Sequence, residues 1–326
     1  MPRFENHHVS LVYIATVWLL AITISAKDDR SFGTFVPAVN RQLPGFDHAN
    51  QGRWIAPFYF IHVTDIQFGF IAARRVPPGT GWSQEIDNAN RFVDAVNSMD
   101  PKPKFVVMTG DLVDAMPGEE SQAEQQETFR ELFSELDTEI PFICLPGNHD
   151  VGDNPTSATI SDYKANFGDD YFSFWVGGVK FIALNSQYLA NDADPDQVAE
   201  QKAEQDEWLQ NELSHPTFKP NHTILFQHIP WFYGSPYEGA DMYNIPVIHR
   251  LNWLTRLKEA GVNNVFAGHM HQNAGGHDHD LEMTVTSALG AQLGNDEAGF
   301  RIVKVYGDQV AHEYVELDKP PVDISL

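Results

Sequence analysis

Cysteine and basic residues are scarce in this chain, and both shortages limit what it can be. Its 326 residues contain one cysteine, Cys144, so no internal disulfide is possible and a metal site built from several thiolates is excluded. Cys144 lies in the apolar run Ile143-Cys144-Leu145, which favours a buried side chain. Repeats and low-complexity tracts are also lacking, and a hydrophobic content of 42% is enough for a well-filled core.

The shortage of positive charge argues against nucleic-acid binding. Lys and Arg number 21 against 45 Asp and Glu, the net charge is −24, and the longest basic run is Arg74-Arg75. Such a surface has few groups that could neutralise a phosphate backbone. An acidic protein can still act on a small anionic ester if bound cations reverse the local field.

The N-terminal region carries a hydrophobic segment. Residues 9–26 are uncharged and largely apolar, and they follow a short stretch whose one clear cation is Arg3. The small residues Thr23 and Ser25 fit a cleavage site, so we predict a signal peptide at residues 1–26 and entry into the secretory pathway. The alternative is a retained membrane anchor, because the run is nearly long enough to span a bilayer. In the secretory pathway, Asn221-His222-Thr223 would be a glycosylation sequon.

Periodicity predicts an α/β fold with a mixed sheet. We expect a linker or loosely packed arm at residues 27–56, the folded domain at 57–318 and a tail at 319–326. Short apolar runs alternate with amphipathic stretches, and residues 171–185 resemble a hairpin around Gly177-Gly178. Three helix faces are predicted: Ile86, Ala89, Phe92, Val93 and Val96; Phe129, Leu132, Phe133 and Leu136; and, after Pro246, Val247, Ile248, Leu251, Leu254 and Leu257.

Five apolar runs each end in a residue that can bind a metal ion. These residues are Asp65, Asp111, Asn148, His228 and His269, and His271 follows two positions later. Any one of them is explained as a helix cap or a satisfied polar group. Capping is a poor explanation for five strands that all end this way. The carboxyl ends of strands in an open α/β sheet converge where ligands bind, so these residues are expected to meet at one site.

The motifs around these residues resemble the calcineurin-like metallophosphoesterases. The matching blocks are Asp65-Ile66-Gln67, Gly110-Asp111-Leu112-Val113-Asp114, Gly147-Asn148-His149-Asp150, Gln227-His228 and Gly268-His269-Met270-His271. The resemblance implies a four-layer α/β/β/α sandwich with two metal ions at the strand ends. It assigns one ion to Asp65, Gln67, Asp111 and His271 and the other to Asp111, Asn148, His228 and His269, with Asp111 bridging both.

The implied activity is hydrolysis of phosphate monoesters. Two cations bind phosphoryl oxygens and lower the pKa of a water, which gives a hydroxide nucleophile. His149 would then protonate the leaving group, and Asp114 would orient the His149 ring and favour its protonated form. A helix cap is the alternative role for Asp114, and Asp150 is either a support for the ligands or a loop cap.

Gln67 departs from the family pattern, because most members carry histidine at this position. Carboxylate, amide and imidazole together suit Mn, Fe or Zn, and an amide oxygen in place of imidazole makes Mg possible. A narrower resemblance is to a serine/threonine phosphatase branch of the family, which carries glutamine there too. That branch suggests a cytoplasmic location, in conflict with residues 9–26.

Three functions remain open. The first is a phosphomonoesterase whose candidate partner is a phosphoserine or phosphothreonine protein; the second is a phosphodiesterase acting on nucleotides or lipid head groups. The third is a catalytically silent module that keeps a weakened metal site. Candidate substrate contacts are Asn185, Gln187, Trp231, Arg74 and Arg75, although solvated loop charge is an alternative explanation for the two arginines.

Overall fold

The computed structural model describes residues 30–55, 57–74, 81–190, 195–214 and 219–326, so the hydrophobic segment at residues 9–26 lies outside the described residues. The strands in the described part are β1 Phe58–Val63, β2 Val106–Thr109, β3 Phe142–Leu145, β4 Phe172–Val176, β5 Val179–Ala183, β6 Thr223–Phe226, β7 Val262–Ala267, β8 Ala274–Asp278, β9 Leu281–Val285, β10 Gly299–Val305 and β11 Val310–Glu316. The helices are α1 His48–Gln51, α2 Phe70–Ala73, α3 Ser83–Asn97, α4 Gln122–Phe133, α5 Asn148–Val151, α6 Ser157–Phe167, α7 Pro195–Ser214 and α8 Val247–Glu259, with a 3₁₀ turn at Ser186–Leu189. None of these helices combines the length and apolar character needed to cross a bilayer.

The strands form two mixed sheets, as predicted. The first sheet has the order β11-β10-β1-β2-β3 and the second has the order β4-β5-β6-β7-β9-β8. Strands β1, β2 and β3 are parallel, and so are β5, β6, β7 and β9. The predicted hairpin is β4 and β5, which pair antiparallel around Gly177-Gly178. Both sheets therefore present a row of carboxyl strand ends.

Alternation along the strands produces four layers. On β1, Phe58 and Phe60 point into a core shared with Phe181 and Phe226 of the second sheet, whereas the intervening Tyr59 lies in the core on the opposite face. That opposite core contains residues of α3, α4 and α6, and a third core packs α7 and α8 against the far side of the second sheet. The predicted α/β/β/α sandwich is confirmed, because side chains of period two bury both faces of each sheet.

Two predicted helix faces are found in the core, and the third is only partly right. Helix α3 buries Phe92 and Val96 and α4 buries Phe129 and Phe133. In α8, Leu254 is buried, but Ile248 is 79% exposed and Leu251 is 37% exposed.

The core-facing side of α8 is rotated from the predicted one. The helix begins at Val247 after Pro246 and buries Arg250, Trp253, Leu254 and Leu257. Trp253 offers more apolar area than Ile248 or Leu251, and the guanidinium of Arg250 bonds carbonyls of the preceding loop. These two contacts set the orientation of the helix.

The expectation of a loose N-terminal arm is wrong for its described part, residues 30–55. Phe35 is 2% exposed, and the backbone around it bonds Phe142, the first residue of β3, on both sides. Further along, the carbonyl of Arg41 accepts a hydrogen bond from the N–H of Ser173 in β4. The tail is also packed, since Ile324 is 7% exposed and its N–H donates to the carbonyl of Asp100.

A buried carboxylate ties this segment to the domain. Asp170 Oδ1 lies 2.8 Å from the guanidinium of Arg41 and 3.3 Å from the ammonium of Lys164. Its Oδ2 accepts hydrogen bonds from Tyr188 at 2.5 Å and Asn185 at 3.1 Å. Burial alone would raise the pKa of Asp170, but Lys164, Tyr188 and Arg41 together outweigh it and hold the pKa below its ordinary value.

We expect Asp170→Asn to lower the free energy of unfolding by about 3 kcal/mol near neutral pH, because two cations lose their shared buried partner. The folded pKa lies below the unfolded one, so this stabilisation is complete above about pH 4 and is lost as the pH falls through the folded pKa. Urea denaturation of both proteins at several pH values measures the difference. Asp169→Asn, a neighbouring carboxylate that is 20% exposed, is the control and should cost less.

Candidate dinuclear metal centre

The predicted ligands lie just beyond strand ends of both sheets. Asp65, Asp111 and Asn148 follow β1, β2 and β3 by two or three residues. His228 and His269 follow β6 and β7 by two residues each. The parallel strands therefore deliver acidic and amide groups from one sheet and imidazoles from the other to a single edge.

These side chains form two clusters that share one carboxylate. Ligand atoms of Asp65, Asp111 and His271 lie within 4.8 Å of one another, and so do those of Asp111, His228 and His269. A carboxylate has two oxygens and can bind two cations at once. The position of Asp111 in both clusters is the arrangement that a bridging ligand requires.

The two predicted amide ligands offer oxygen atoms. The Oε1 of Gln67 is buried and has no hydrogen-bond partner in the described part of the chain. Asn148 donates from Nδ2 to the carboxylate of Asp153 at 2.8 Å, which leaves its Oδ1 3.1 Å from His228 Nε2. Since a carboxylate can only accept, the orientation of the Asn148 amide is determined by Asp153.

Backbone carbonyls fix which nitrogen of each histidine is available. His228 Nδ1 donates to the carbonyl of Thr109 at 2.7 Å, His271 Nδ1 to that of Ala291 at 2.5 Å, and His269 Nε2 to that of Met242 at 2.8 Å. A carbonyl cannot donate, so the opposite nitrogen of each neutral ring carries a lone pair. Those nitrogens are the ones that belong to the two clusters.

The residues fit a pair of cations. Asp65 Oδ2 accepts hydrogen bonds from Thr64 and from the N–H of His269, but its buried Oδ1 has no hydrogen-bond partner in the described part of the chain. His228 Nε2 and His269 Nδ1 lie 3.2 Å apart. Two facing lone pairs and unpartnered buried oxygens are costly unless a positive charge lies between them.

Without that charge, the cluster itself shifts proton affinities in opposite directions. Burial opposes protonation of His228, yet the adjacent carboxylate of Asp111 prevails and raises the pKa of His228 to about 9. Burial and the positive charge of His228 lower the pKa of His269 to about 4. Metal binding must therefore displace a proton from His228 at neutral pH, whereas His269 is already neutral.

Backbone strain is concentrated at this site. Eight described residues other than glycine have a positive φ, and five of them are predicted ligands. They are Asp65 (54°), Gln67 (37°), Asp111 (54°), His269 (72°) and His271 (54°). Such conformations are costly for residues with a Cβ and persist where the surroundings enforce them.

Asp150 supports two ligand loops at once. Its carboxylate accepts hydrogen bonds from the backbone N–H of Asp111 at 2.9 Å, Leu112 at 3.1 Å and Gly147 at 2.8 Å. Burial and the negative charge of Asp111 raise the pKa of Asp150 to about 7. Asp150 thus supports the ligands rather than only capping its own loop.

The contact between His149 and Asp114 differs from the expected one. His149 Nδ1 donates to the backbone carbonyl of Asp114 at 2.5 Å, while the Asp114 carboxylate is 3.8 Å from that nitrogen. The carboxylate instead pairs with Arg74 at 2.9 Å. The main chain of Asp114 thus orients the ring, and Nε2 of His149 is the ring nitrogen that takes no part in this contact.

Most of the residues predicted to contact substrate lie where a substrate in solvent cannot reach them. Trp231 is completely buried in the core beneath α8, and Asn185 is completely buried and donates to Asp170. Gln187 is 1% exposed, so these three side chains cannot meet a ligand from solvent. Arg74 is half exposed, lies over the ring of Phe70 and pairs with Asp114, whereas Arg75 is outside the described residues.

Several supporting groups were not predicted from the sequence. Asp153 orients Asn148, Thr64 donates to Asp65 at 2.7 Å, and the carbonyls of Met242 and Ala291 orient two histidines. A threonine directly before the first aspartate and an aspartate five residues after Asn148 were available signals. The two carbonyls left no signal in the sequence, because every residue has a backbone carbonyl.

Comparisons with known proteins agree with this geometry. The family model described as calcineurin-like phosphoesterase matches residues 58–273. Serine/threonine-protein phosphatase CPPED1 from Bos taurus is 42% identical over 292 residues, which cover 88% of this chain and 92% of that protein. The Homo sapiens protein of the same name is 42% identical over 293 residues, with the same coverage of both chains. The crystal structure of a dimetal phosphatase from Danio rerio is 16% identical with a TM-score of 0.60, over 80% of this chain and 98% of that one.

The chain belongs to the calcineurin-like phosphoesterase family and is a hydrolase of phosphate esters. Within that family it is similar, over most of its length, to the serine/threonine-protein phosphatases CPPED1. The solved dimetal phosphatase shares its fold.

We expect Gly147→Ala to weaken Mn²⁺ binding by about 10-fold or more. The added Cβ would displace the ligand Asp111, and this should reduce the metal affinity at least as much as the loss of a residue that only supports a ligand. A Cβ at Gly147 would lie 2.2 Å from Asp111 Oδ1 and 2.5 Å from its backbone nitrogen. Calorimetric titration of Mn²⁺ into metal-free protein measures the loss. Gly239→Ala is the matched control, since a Cβ there has no neighbour within 4 Å in the described part of the chain, and equal affinities for the two variants would contradict the expectation.

Proposed function

We propose that the protein hydrolyses phosphate monoesters and that its substrates are proteins phosphorylated on serine or threonine. The observation that carries the proposal is the pair of clusters joined by Asp111, with the backbone N–H of His149 donating to Asp111 Oδ1 at 3.0 Å. This contact holds the main chain of His149 against the shared carboxylate, which supports a role for the His149 imidazole as a proton donor. The similarity to serine/threonine-protein phosphatases supports the substrate class.

Each residue of the site has a distinct task. Asp65, Gln67, Asp111 and His271 would hold one metal ion, and Asp111, Asn148, His228 and His269 the other. When bound, the two ions supply Lewis-acid stabilisation of the phosphoryl oxygens and lower the pKa of a water. His149 donates a proton from Nε2 to the departing alkoxide, because serine and threonine are poor leaving groups.

The ligand set favours Mn, Fe or Zn. Three imidazoles suit these ions, whereas the amide oxygens of Gln67 and Asn148 are hard donors that Mn and Mg tolerate better than Zn does. The first cluster has one imidazole and the second has two. We therefore propose that the Gln67 side of the centre holds the harder or more weakly bound ion.

We expect His149→Ala to slow hydrolysis of a phosphoserine peptide by about 10²- to 10³-fold, since the alkoxide would leave without a proton. An aryl phosphate has a better leaving group and should be affected much less. Steady-state kinetics with both esters and with a bis-aryl phosphate measure the contrast, and His279→Ala, a 79% exposed histidine outside the centre, is the control.

Two results would count against this mechanism. Equal losses for the peptide and the aryl ester would remove the role of His149 as a proton donor. Faster hydrolysis of the bis-aryl ester than of the monoesters would favour the phosphodiesterase alternative. Loss of all turnover in Asp111→Asn, without loss of the fold, is expected under either outcome.

We also propose that residues 9–26 direct the chain into the secretory pathway. The support is their uncharged, apolar composition and the presence of an exposed sequon residue, Asn221. The domain would then meet phosphorylated proteins in that pathway, and membrane contact would follow only if the segment stays attached.

The mature protein should begin near residue 27, and a glycosidase-sensitive increase in mass should disappear in Asn221→Gln. N-terminal sequencing and mass spectrometry of protein from eukaryotic cells measure both. An N-terminus at Met1 in a soluble, unglycosylated protein would favour the cytoplasmic alternative, and the same N-terminus in a membrane fraction would favour an anchor.

A further inference from the structure

The loop between β6 and α8 contacts the second cluster through its backbone. The carbonyl of Met242 accepts a hydrogen bond from His269 Nε2 at 2.8 Å. The side chains of Met242 and Tyr237, in the same loop, are 64% and 74% exposed. At Met242 the loop therefore turns its main chain to a candidate ligand, and the Met242 and Tyr237 side chains lie in solvent, whereas Trp231 and Phe232 of the same loop are buried.

This loop is irregular but internally tied. The carboxylate of Glu238 accepts hydrogen bonds from the backbone N–H of Tyr233 and Gly234 at 2.9 Å and of Ser235 at 2.8 Å. It also accepts from Asn244 Nδ2 at 2.9 Å. These contacts satisfy backbone groups that a strand or helix would otherwise pair.

One side chain joins the middle of the loop to its C-terminal end. Arg250, which is completely buried, donates from Nη1 to the carbonyls of Pro236 at 3.2 Å and Glu238 at 2.8 Å. Its Nε donates to the carbonyl of Ile245 at 3.0 Å. Met242 lies between these anchor points in the sequence, so its position depends on them.

Arg250 occupies a place that is unfavourable for a cation. It lies in the first turn of α8, where the helix dipole disfavours positive charge, and burial lowers its pKa from the ordinary value. The charges of Glu238 and Asp241 offset only part of this lowering of the pKa, and among the described residues its Nη2 has no hydrogen-bond partner. A buried cation with these costs is expected where its fixed fork of donors is needed.

We propose that Arg250 is a positioning residue of the metal centre, which acts through the Met242 carbonyl on His269. By joining residues 236–238 to Ile245, it holds the Met242 carbonyl against Nε2 and so directs the Nδ1 lone pair of His269 into the second cluster. The inference rests on the candidate metal centre, but not on the identity of the substrate.

The effect is specific to one of the two ions. His269 belongs to the cluster with Asp111 and His228, whereas Asp65 and His271 belong to the other. Loss of Arg250 should therefore weaken one binding event and leave the other unchanged. A general loss of stability would weaken both.

Calorimetric titration of Mn²⁺ into the metal-free full chain tests this. In Arg250→Met the affinity for one ion should fall by about 10- to 100-fold, the range for residues that support a metal ligand. Arg250→Lys should fall between that variant and the wild type, because one ammonium cannot reach all three carbonyls. Glu238→Gln should show a smaller loss of affinity for the same ion. If Arg250→Met does not fold, the proposal is tested with Glu238→Gln and Arg250→Lys.

A double-mutant cycle separates positioning from general stability. In a His269→Ala background, Arg250→Met should cause no further loss of Mn²⁺ affinity, because its only route to the ion has been removed. If the losses of Mn²⁺ affinity caused by Arg250→Met and His269→Ala add up in the double variant, the proposal is overturned. It is also overturned if all the Arg250 and Glu238 variants bind both Mn²⁺ ions with the wild-type affinities. A wild-type protein that binds no Mn²⁺ would instead refute the metal centre itself.

Arg256→Met is the matched control on the same helix. Arg256 donates to Gln210 at 3.0 Å and lies 4.9 Å from the ring of Trp253, on the part of α8 away from the loop. Its substitution should leave both Mn²⁺ affinities at the wild-type values.

Discussion

The contact between Asp111 and His228 is the interaction on which the rest of the structure depends. The carboxylate belongs to the first sheet and the imidazole to the second, and Asp111 Oδ1 lies 3.2 Å from His228 Nε2. The other nitrogen of His228 bonds the carbonyl of Thr109, also in the first sheet. The two sheets are thus joined at their carboxyl ends by polar groups and along their length by a core rich in phenylalanine.

This junction explains why strain and buried polar groups gather in one place. The candidate ligands with an unfavourable backbone conformation follow three different strands, β1, β2 and β7. Asp150 holds the loops after β2 and β3 together. The packed layers around them supply the stability that such a site lacks. Metal ions would replace the proton on His228 and compensate the unpartnered buried oxygens, so folding and metal binding favour the same arrangement.

Much of the fold and the candidate ligands could be predicted from the sequence because both leave a local pattern. A strand that ends in Asp, Asn or His can be recognised without knowing its neighbours, and period-two burial follows from alternation. The face of α8 could not be predicted, since burying Arg250 in place of Ile248 depends on backbone carbonyls of the preceding loop, whose positions leave no pattern in the sequence. The pairing of Asp114 with Arg74 likewise depends on how α2 meets the loop after β2, and not on any spacing between the two residues.

The N-terminal segment has a consequence for how the molecule meets others. Strand β3 is an edge of the first sheet and β4 is an edge of the second. Residues 34–36 bond the start of β3, and Arg41 bonds β4, so a single stretch of chain occupies hydrogen-bonding groups at both edges. Unpaired edges recruit strands from other molecules. A chain shortened beyond this stretch would expose two such edges side by side, and its first failure would be association with its own copies rather than loss of chemistry.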